Sequence, residues 1–151
     1  SDVYKRQMLY LHHNDYLIFV EMNNHAILND DYYCGLFESL GVNPDKITDD
    51  TDFLVIQDAG KKVDYFEKFR ESENNITSDL GTIQIFASES GTYGAYLNGE
   101  ELFAVTPEQS QNPEIRIVVV DKSTKEVTDQ SCFSKRTDAD RHGAVRTYMK
   151  E

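Results

Sequence analysis

Three clusters of titratable side chains are the first candidates for chemistry in this sequence. Adjacent side chains on an extended segment point to opposite sides, so the histidine pair does not by itself converge on a metal ion. The aspartate run has the Asp-x-Asp pattern of nucleotide-sugar transferases, but it precedes a predicted strand instead of following one. The last cluster, Asp138 with Asp140 and His142, lies at the start of a predicted helix, where acidic residues cap the helix and interact favourably with its dipole. These clusters are His12-His13-Asn14-Asp15, Asp49-Asp50-Thr51-Asp52, and Asp138 with Asp140 and His142.

Possible nucleophiles give no stronger signal. The serines at 88, 90 and 134 lack the G-x-S-x-G setting of a hydrolase. Cys34 falls on the apolar side of a predicted helix, where burial raises a thiol pKa and makes it unreactive. Cys34 and Cys132 have no zinc-site spacing, and the sequence leaves open both a disulfide between them and two separate buried thiols. The sequence therefore predicts no catalytic residue, no metal and no cofactor.

Composition narrows the class of partner. The 151 residues include 15 Lys and Arg against 27 Asp and Glu, for a net charge of −12. A surface this acidic repels phosphate backbones and anionic lipids, which argues against nucleic acid and against direct membrane binding. Nine Tyr and eight Phe argue for a folded core. We expect a membrane to be involved only through a larger parent chain.

The first part of the chain alternates strands with one helix. A continuous apolar run over 16–22 predicts a strand that is buried on both faces. An acidic cap at 29–31 opens an amphipathic helix that Gly41 ends. Residues 53–56 predict a second buried strand, and 62–66 its hairpin partner. The helix carries its apolar residues at the spacing i, i+3, i+4 and i+7, namely Tyr33, Leu36, Phe37 and Leu40.

The second part reads as antiparallel strands. Alternation over 83–87 predicts a strand. Asn98-Gly99 is the strongest hairpin signal in the chain, and it joins predicted strands over 93–97 and 101–105.

The last third predicts two more strands and a helix. The strands cover 115–120 and 127–133, and a capping box opens the helix predicted over 138–149. No series of βαβ units repeats, which excludes a doubly wound sheet. The predicted fold class is α+β, with antiparallel β-sheets and two short helices.

A resemblance to a known family rests on the residues around 115–133. Ile115-Arg116-Ile117-Val118-Val119-Val120-Asp121, followed by Thr124, Val127 and Phe133, resembles the core of the interleukin-like EMT inducer (ILEI) domain, also called the GG-type lectin domain. In that family a hairpin with an Asn-Gly or Asp-Gly turn precedes this core, and a helix follows it. Residues 95–101 resemble the hairpin, and the predicted final helix resembles the family's helix.

The resemblance implies an unusual order of the pieces. The strand over 16–22, the capped helix and the strand that follows it resemble the later half of the family's domain. On this basis 8–66 is the later half of one ILEI-like repeat, 67–79 is a linker, and 80–151 is the truncated earlier half of a second repeat. Tandem repeats and a circular permutation both give this order.

The two ends favour the tandem arrangement. Ser1-Asp2-Val3-Tyr4-Lys5-Arg6-Gln7 resembles a spurious leader found on reading frames translated from metagenome assemblies. We therefore expect 1–7 to be non-native. The far end stops inside the predicted final helix. Both ends predict a fragment of a larger protein.

The family resemblance implies a function in glycan recognition. Such domains occur in animals as secreted signalling proteins and as sugar-binding stem modules of glycosyltransferases. Similar bacterial segments are appended to large cell-surface polymer enzymes. The resemblance therefore implies a non-catalytic carbohydrate-binding or interaction module of a bacterial surface-polysaccharide or glycerophosphate transferase, with a cell-surface or extracellular location. A structural spacer, and a fragment of an enzyme whose catalytic residues lie outside this chain, are the alternatives.

The expected sugar site lies at the Asn-Gly hairpin. Sugars stack on aromatic faces and hydrogen-bond to amides and carboxylates, which makes Tyr93, Tyr96, Asn98 and Glu100 the candidate ligand-binding residues. The alternative is that both tyrosines pack on the sheet and that Asn98 only forms the turn.

Overall fold

The structure is a computed structural model that describes residues 14–110, 113–133 and 145–149, the last range as backbone. Its helices are α1 (Asp31–Ser39) and the short α2 (Pro107–Ser110), and single 3-10 turns cover His25–Asn29, Pro44–Lys46, Asp58–Gly60 and Phe69–Glu71. The strands are β1 (Tyr16–Met22), β2 (Thr51–Gln57), β3 (Lys62–Glu67), β4 (Asn74–Ser78), β5 (Gly81–Ala87), β6 (Tyr93–Leu97), β7 (Glu100–Val105), β8 (Ile115–Asp121), β9 (Glu126–Phe133) and β10 (Val145–Met149).

The strands form two antiparallel sheets. Sheet A has the order β10-β9-β8-β1-β2-β3, and sheet B has the order β4-β5-β6-β7. In sheet A, β1 pairs with β8 along its full length, from Tyr16 opposite Asp121 to Met22 opposite Ile115. Its other edge pairs with β2. Strands from the beginning and from the end of the chain therefore share one sheet, and the fold is a β-rich α+β fold.

The middle of sheet A is buried on both faces. One face packs against α1, and the other packs against the inner face of sheet B, so the molecule has three layers. The helix-side core includes Ile18, Val20, Tyr33, Leu36, Phe37, Leu54, Ile117 and Val119. The core between the sheets includes Leu17, Phe19, Phe53, Val55, Ile83, Ile85, Tyr93, Phe103, Val118 and Val120. This double burial is why β1 and β8 read as unbroken apolar runs.

Helix α1 begins and ends at the predicted signals. The side chain of Asp30 accepts a hydrogen bond from the backbone N–H of Tyr32 at 2.9 Å. At the other end Gly41 has φ = 89° and donates to the carbonyl of Glu38 at 3.0 Å. The next residue, Val42, donates its backbone N–H to the carbonyl of the residue that precedes Glu38. These two bonds are a Schellman ending, so the predicted role of Gly41 is confirmed.

The final helix predicted over 138–149 is wrong where the structure describes it. Val145–Met149 is strand β10, and its residues lie opposite Phe133 to Asp129 of β9. A β-branched and aromatic sequence suits a strand, and the open edge of β9 offers backbone partners that a helix cannot use. Residues 134–144, which hold the capping box, lie outside the described residues.

The range 67–79, predicted as a linker, carries regular structure. It contains the 3-10 turn Phe69–Glu71 and strand β4, and β4 pairs with β5 in a regular antiparallel register. Phe69 is buried in the core between the sheets. At the outer edge of β4 the Lys62 ammonium donates to the carbonyl of Thr77 at 3.0 Å. This segment therefore leads the chain from sheet A into sheet B as part of the core.

Two glycines, one inside α1 and one just beyond its end, test the helix ending. Gly41→Ala introduces a Cβ at positive φ, where it meets the backbone of Gly60. We expect a loss of at least about 1–2 kcal/mol in the free energy of unfolding. Gly35, in the middle of α1, has open space around its Cα, so Gly35→Ala should instead stabilise by about 0.5–1 kcal/mol. Urea unfolding followed by circular dichroism measures both, and equal effects of the two variants would contradict the assigned ending.

Candidate functional site

Tyr93, the first of the predicted ligand residues, lies between the two sheets. Only 2% of it is exposed. Its ring packs edge to face against Phe53 and Phe69, at centroid distances of 6.0 and 5.6 Å. The guanidinium carbon of Arg70 lies 5.2 Å from its ring centre. Tyr93 therefore supports the sheet from inside and presents no ring face to solvent.

Asn98 and Glu100 come together in a pocket of about 240 Å³ that Lys125 also lines. Asn98 takes the left-handed backbone conformation of the turn, with φ = 51°. Its Oδ1 accepts from the backbone N–H of Thr82 and its Nδ2 donates to the carbonyl of Leu80, both at 3.0 Å. The amide of Asn98 thus joins the β6–β7 turn to the β4–β5 turn. Glu100, in contrast, is exposed.

Tyr96 lies on the opposite side of sheet B from Tyr93, on the face that sheet A does not cover. There its ring stacks with that of Phe86, with a centroid distance of 4.6 Å and an interplanar angle of 31°. Gly94 lies directly opposite Phe86 in the sheet, and its lack of a side chain leaves room for the two rings to meet. A Cβ at Gly94 would also strike the backbone of Phe103.

The register of sheet B places four outward side chains in one line across all four strands. Asn75 is opposite Gln84, Gln84 is opposite Tyr96, and Tyr96 is opposite Glu101. Asn75 and Glu101 are exposed, and the two central residues are partly exposed. Neighbouring strands lie ~4.8 Å apart, so this open-face row (Asn75, Gln84, Tyr96, Glu101) spans ~14 Å.

Sequence reasoning found one member of this row and missed three. Tyr96 was predicted from the hairpin. Gln84 and Glu101 were assigned to strands without a role, and Asn75 lay in the range predicted as a linker. The alternation of polar and apolar residues along β5 was the available signal, because it separates Gln84 and Phe86 from the buried residues between them.

A charged cluster that sequence reasoning did not single out lies inside the two-sheet core. Glu21 and Arg116 are opposite each other on β1 and β8, and they are 2% and 1% exposed. Glu21 Oε2 accepts a hydrogen bond from Arg70 Nη2 at 2.9 Å. Arg116 Nη2 donates to the carbonyl of Gln109 at 2.6 Å. We call Glu21, Arg70 and Arg116 the intersheet charge cluster.

This cluster joins β1, β8 and the turn before β4, and its charges act on Tyr93. Arg70 comes from the turn Phe69–Glu71, and 40% of its side chain is exposed. Burial first, and then the negative charge of Glu21, raise the pKa of Tyr93 well above its ordinary value, while Arg116 and Arg70 act against this shift. The Tyr93 phenol therefore stays neutral. The buried carboxylate of Glu21 is hydrogen-bonded to Arg70, and this favours a structural role for the cluster. A charged residue inside an apolar strand run was the signal for both Glu21 and Arg116.

The turn that carries Arg70 is held by the aspartate run. Asp52 Oδ1 accepts from the backbone N–H of Phe69 at 3.0 Å, and the carbonyl of Asp50 accepts from Lys68 at 3.1 Å. Burial raises the pKa of Asp52, and the hydrogen bond from Phe69 opposes that shift. The Asp-x-Asp pattern thus holds a turn in place.

A larger cleft, of about 620 Å³, lies at the ends of β1, β4 and β8. We call it the Lys122 cleft. Lys122 Nζ donates to the carbonyl of Asn14 at 2.9 Å and to Asp79 Oδ2 at 2.5 Å. The hydrogen bond from Lys122 lowers the pKa of Asp79. Asp121 accepts from the backbone N–H groups of Ser123 and Thr124. These polar groups largely satisfy one another.

Metal and membrane sites have little support within the described ranges. No three His, Cys, Asp or Glu side chains there lie close enough together to hold a metal ion. Cys34 and Cys132 are thiols and are not joined in a disulfide. No helix in the described part of the chain is long and apolar enough to cross a membrane.

Comparisons with known proteins found no match. No family model, no curated protein and no solved structure matches the chain. The candidate site therefore rests on the side chains themselves, among which the open-face row and Phe86 form a partly exposed group of mixed aromatic and polar chemistry.

The intersheet charge cluster makes a prediction about stability. Arg70→Met keeps an apolar stem beside the rings of Phe69 and Tyr93 but removes the partner of Glu21 Oε2. We expect a loss of about 1–3 kcal/mol in the free energy of unfolding, because the carboxylate is left buried with less compensation. Adding Glu21→Gln should recover much of this loss. Urea unfolding measures the cycle, with Lys46→Met on an exposed turn as the control that should change little.

The raised pKa of Asp52 makes a prediction about pH. Its ionised form is disfavoured in the folded state, so the wild type gains stability as the pH falls through the folded pKa toward the ordinary value of ~3.9. Asp52→Asn keeps an acceptor for Phe69 without the charge. We expect this variant to be the more stable protein at pH 7 and the difference to vanish below the ordinary aspartate pKa. Thermal unfolding between pH 3 and pH 8 measures it.

The control for this experiment is Asp52→Ala, which removes the acceptor at every pH. It should be less stable than the wild type by about 1 kcal/mol at pH 7. A stability of Asp52→Asn below that of the wild type at pH 7 would show that the charge at this position is favourable.

Proposed function

We propose that this chain is a non-catalytic carbohydrate-binding module and that it binds glycan on the open face of sheet B. The observation that carries the proposal is the partly exposed Phe86–Tyr96 pair, with an amide on one side of Tyr96 and a carboxylate on the other. The C–H groups of a pyranose ring pack on aromatic surface. Its hydroxyl groups hydrogen-bond to amides and carboxylates. The open-face row offers both kinds of contact side by side.

The proposal changes the site predicted from the hairpin. Tyr96 stays at its centre. Glu100 lies opposite the inward-facing Leu97 and lines the pocket at the β6–β7 turn, which Tyr96 does not line. Asn98 acts in the turn, and Tyr93 supports the face from below. We propose Phe86 and Gln84 as ligand contacts instead of Asn98 and Tyr93.

Two of the carboxylates support the proposed non-catalytic role. Glu101 is exposed on an open sheet face, where water reaches it freely. Glu21 is buried and paired with Arg70. Neither arrangement resembles the two facing carboxylates of a glycoside hydrolase.

The resemblance to the ILEI domain supports the same class of function. In the second half of the chain it lies on the β6–β7 hairpin, which carries Tyr96 and Glu101, and on β8 and β9 of sheet A. The strand at 145–149 differs from the family's helix. By this resemblance we propose that the module belongs to a larger bacterial surface-polysaccharide or glycerophosphate transferase and acts at the cell surface. The parent enzyme, and not this module, would carry the catalytic residues.

A glycan array tests this function. Tyr96→Ala removes the central ring, and we expect binding to fall by about tenfold or more, as for other aromatic anchors. Tyr96→Phe keeps the ring and should bind within a few-fold of the wild type. The matched control is Tyr16→Ala, which removes the aromatic residue of the Lys122 cleft.

The outcomes separate two glycan-binding sites from each other and from the structural spacer. Loss of binding in Tyr96→Ala alone supports the open face. Loss in Tyr16→Ala alone moves the site to the Lys122 cleft. A folded wild-type chain that binds nothing on the array contradicts a carbohydrate-binding function and favours the structural spacer. Circular dichroism establishes the folding of each variant.

A further inference from the structure

We infer that the glycan lies across the strands along the open-face row and is an internal stretch of a linear, uncharged polysaccharide. The inference rests on the proposed function and specifies its ligand. Its basis is the shape of the row, the edges at which the row ends, and the charge that the row carries.

The row is open at both ends. Asn75 lies on β4 and Glu101 lies on β7, and these are the two edge strands of sheet B. A polymer chain can therefore enter and leave across either edge. A site for a single terminal sugar normally encloses most of its ligand in a concave pocket. Neither the Lys122 cleft nor the pocket at the β6–β7 turn is lined by Gln84, Phe86 or Tyr96.

The length of the row favours several sugars over one. Its ~14 Å, set by the spacing of four strands, is longer than a single sugar ring. The aromatic pair lies near the middle, and polar side chains flank it on both sides. A central sugar on the rings would therefore have neighbours that meet Asn75 and Gln84 in one direction and Glu101 in the other.

The charge of the row favours an uncharged polymer. The row carries one carboxylate, Glu101, and no cation. The adjoining pocket adds Glu100 and Lys125, whose charges cancel, so the row and this pocket together carry one net negative charge. The whole chain carries −12. Phosphate-bearing and uronic-acid polymers meet repulsion on this surface, whereas neutral sugars bring no charge to be repelled.

Chain-length dependence tests the inference. Cello-oligosaccharides and chito-oligosaccharides of one to six units are titrated into the wild-type chain, with protein NMR shifts as the readout. We expect the affinity to rise at least tenfold from the single sugar to the length that fills the row, and then to level off. Oligogalacturonates of equal length, which are anionic, should bind more weakly.

Two variants of one strand localise the end of the row. Asn75→Ala should lower the affinity for the longest oligosaccharides by several-fold and leave that for one or two units unchanged. Thr77→Ala is the matched control, because Thr77 is also exposed on β4 but pairs with Thr82, outside the row. It should have no effect at any length.

The outcomes that overturn the inference differ from those that overturn the proposed function. An affinity that is independent of length, or equal binding of the oligogalacturonates, contradicts the linear neutral ligand while glycan binding stands. No binding by either neutral series also contradicts the inference, and the glycan array then decides whether the proposed function falls with it.

Discussion

The burial of β1 on both faces is the constraint on which the rest of the structure depends. One set of its side chains, including Ile18 and Val20, enters the core under α1. The alternate set, including Leu17 and Phe19, enters the core between the sheets. Since β1 carries apolar side chains on both faces, sheet A needs a covering layer on each side. Helix α1 supplies one layer and sheet B the other, and the second layer leaves its own outer face open.

The charged pair at the end of β1 makes this arrangement specific. Glu21 is opposite Arg116, and Arg70 reaches Glu21 from the turn before β4. A one-residue slip of β1 would move Glu21 into the apolar core under α1. Buried ion pairs add little net stability compared with apolar residues, but an unpaired charge costs several kcal/mol. We interpret the cluster as a selector of strand register and of the docking of sheet B, in addition to the apolar packing that drives the collapse.

Local signals in the sequence predicted most of the strands and helix α1. Pairing between strands decided the elements that local signals did not predict. The strand over 16–22, the helix ending at Gly41 and the Asn98-Gly99 hairpin are confirmed, because apolar period and turn chemistry act within a few residues. Strand β4 was missed, since its sequence is polar apart from Ile76, as suits an edge strand with one solvent face. The helix predicted over 138–149 is wrong at β10. The open edge of β9 supplies the hydrogen bonds of β10, and no local pattern within 138–149 indicates that pairing.

The candidate site shows the same division. Tyr93 and Tyr96 are three residues apart, and an odd spacing on a strand puts two side chains on opposite faces. The sequence therefore already separated the supporting tyrosine from the exposed one, once both were assigned to a single strand. Which of them faced the core depended on sheet A, which packs on the Tyr93 side. The same packing supports the outer face from below, because Ile85 and Tyr93, on the strands that present Phe86 and Tyr96, lie in the core between the sheets. A surface that is held in place before binding loses little entropy when a ligand arrives, and this favours the glycan binding that we propose for this face.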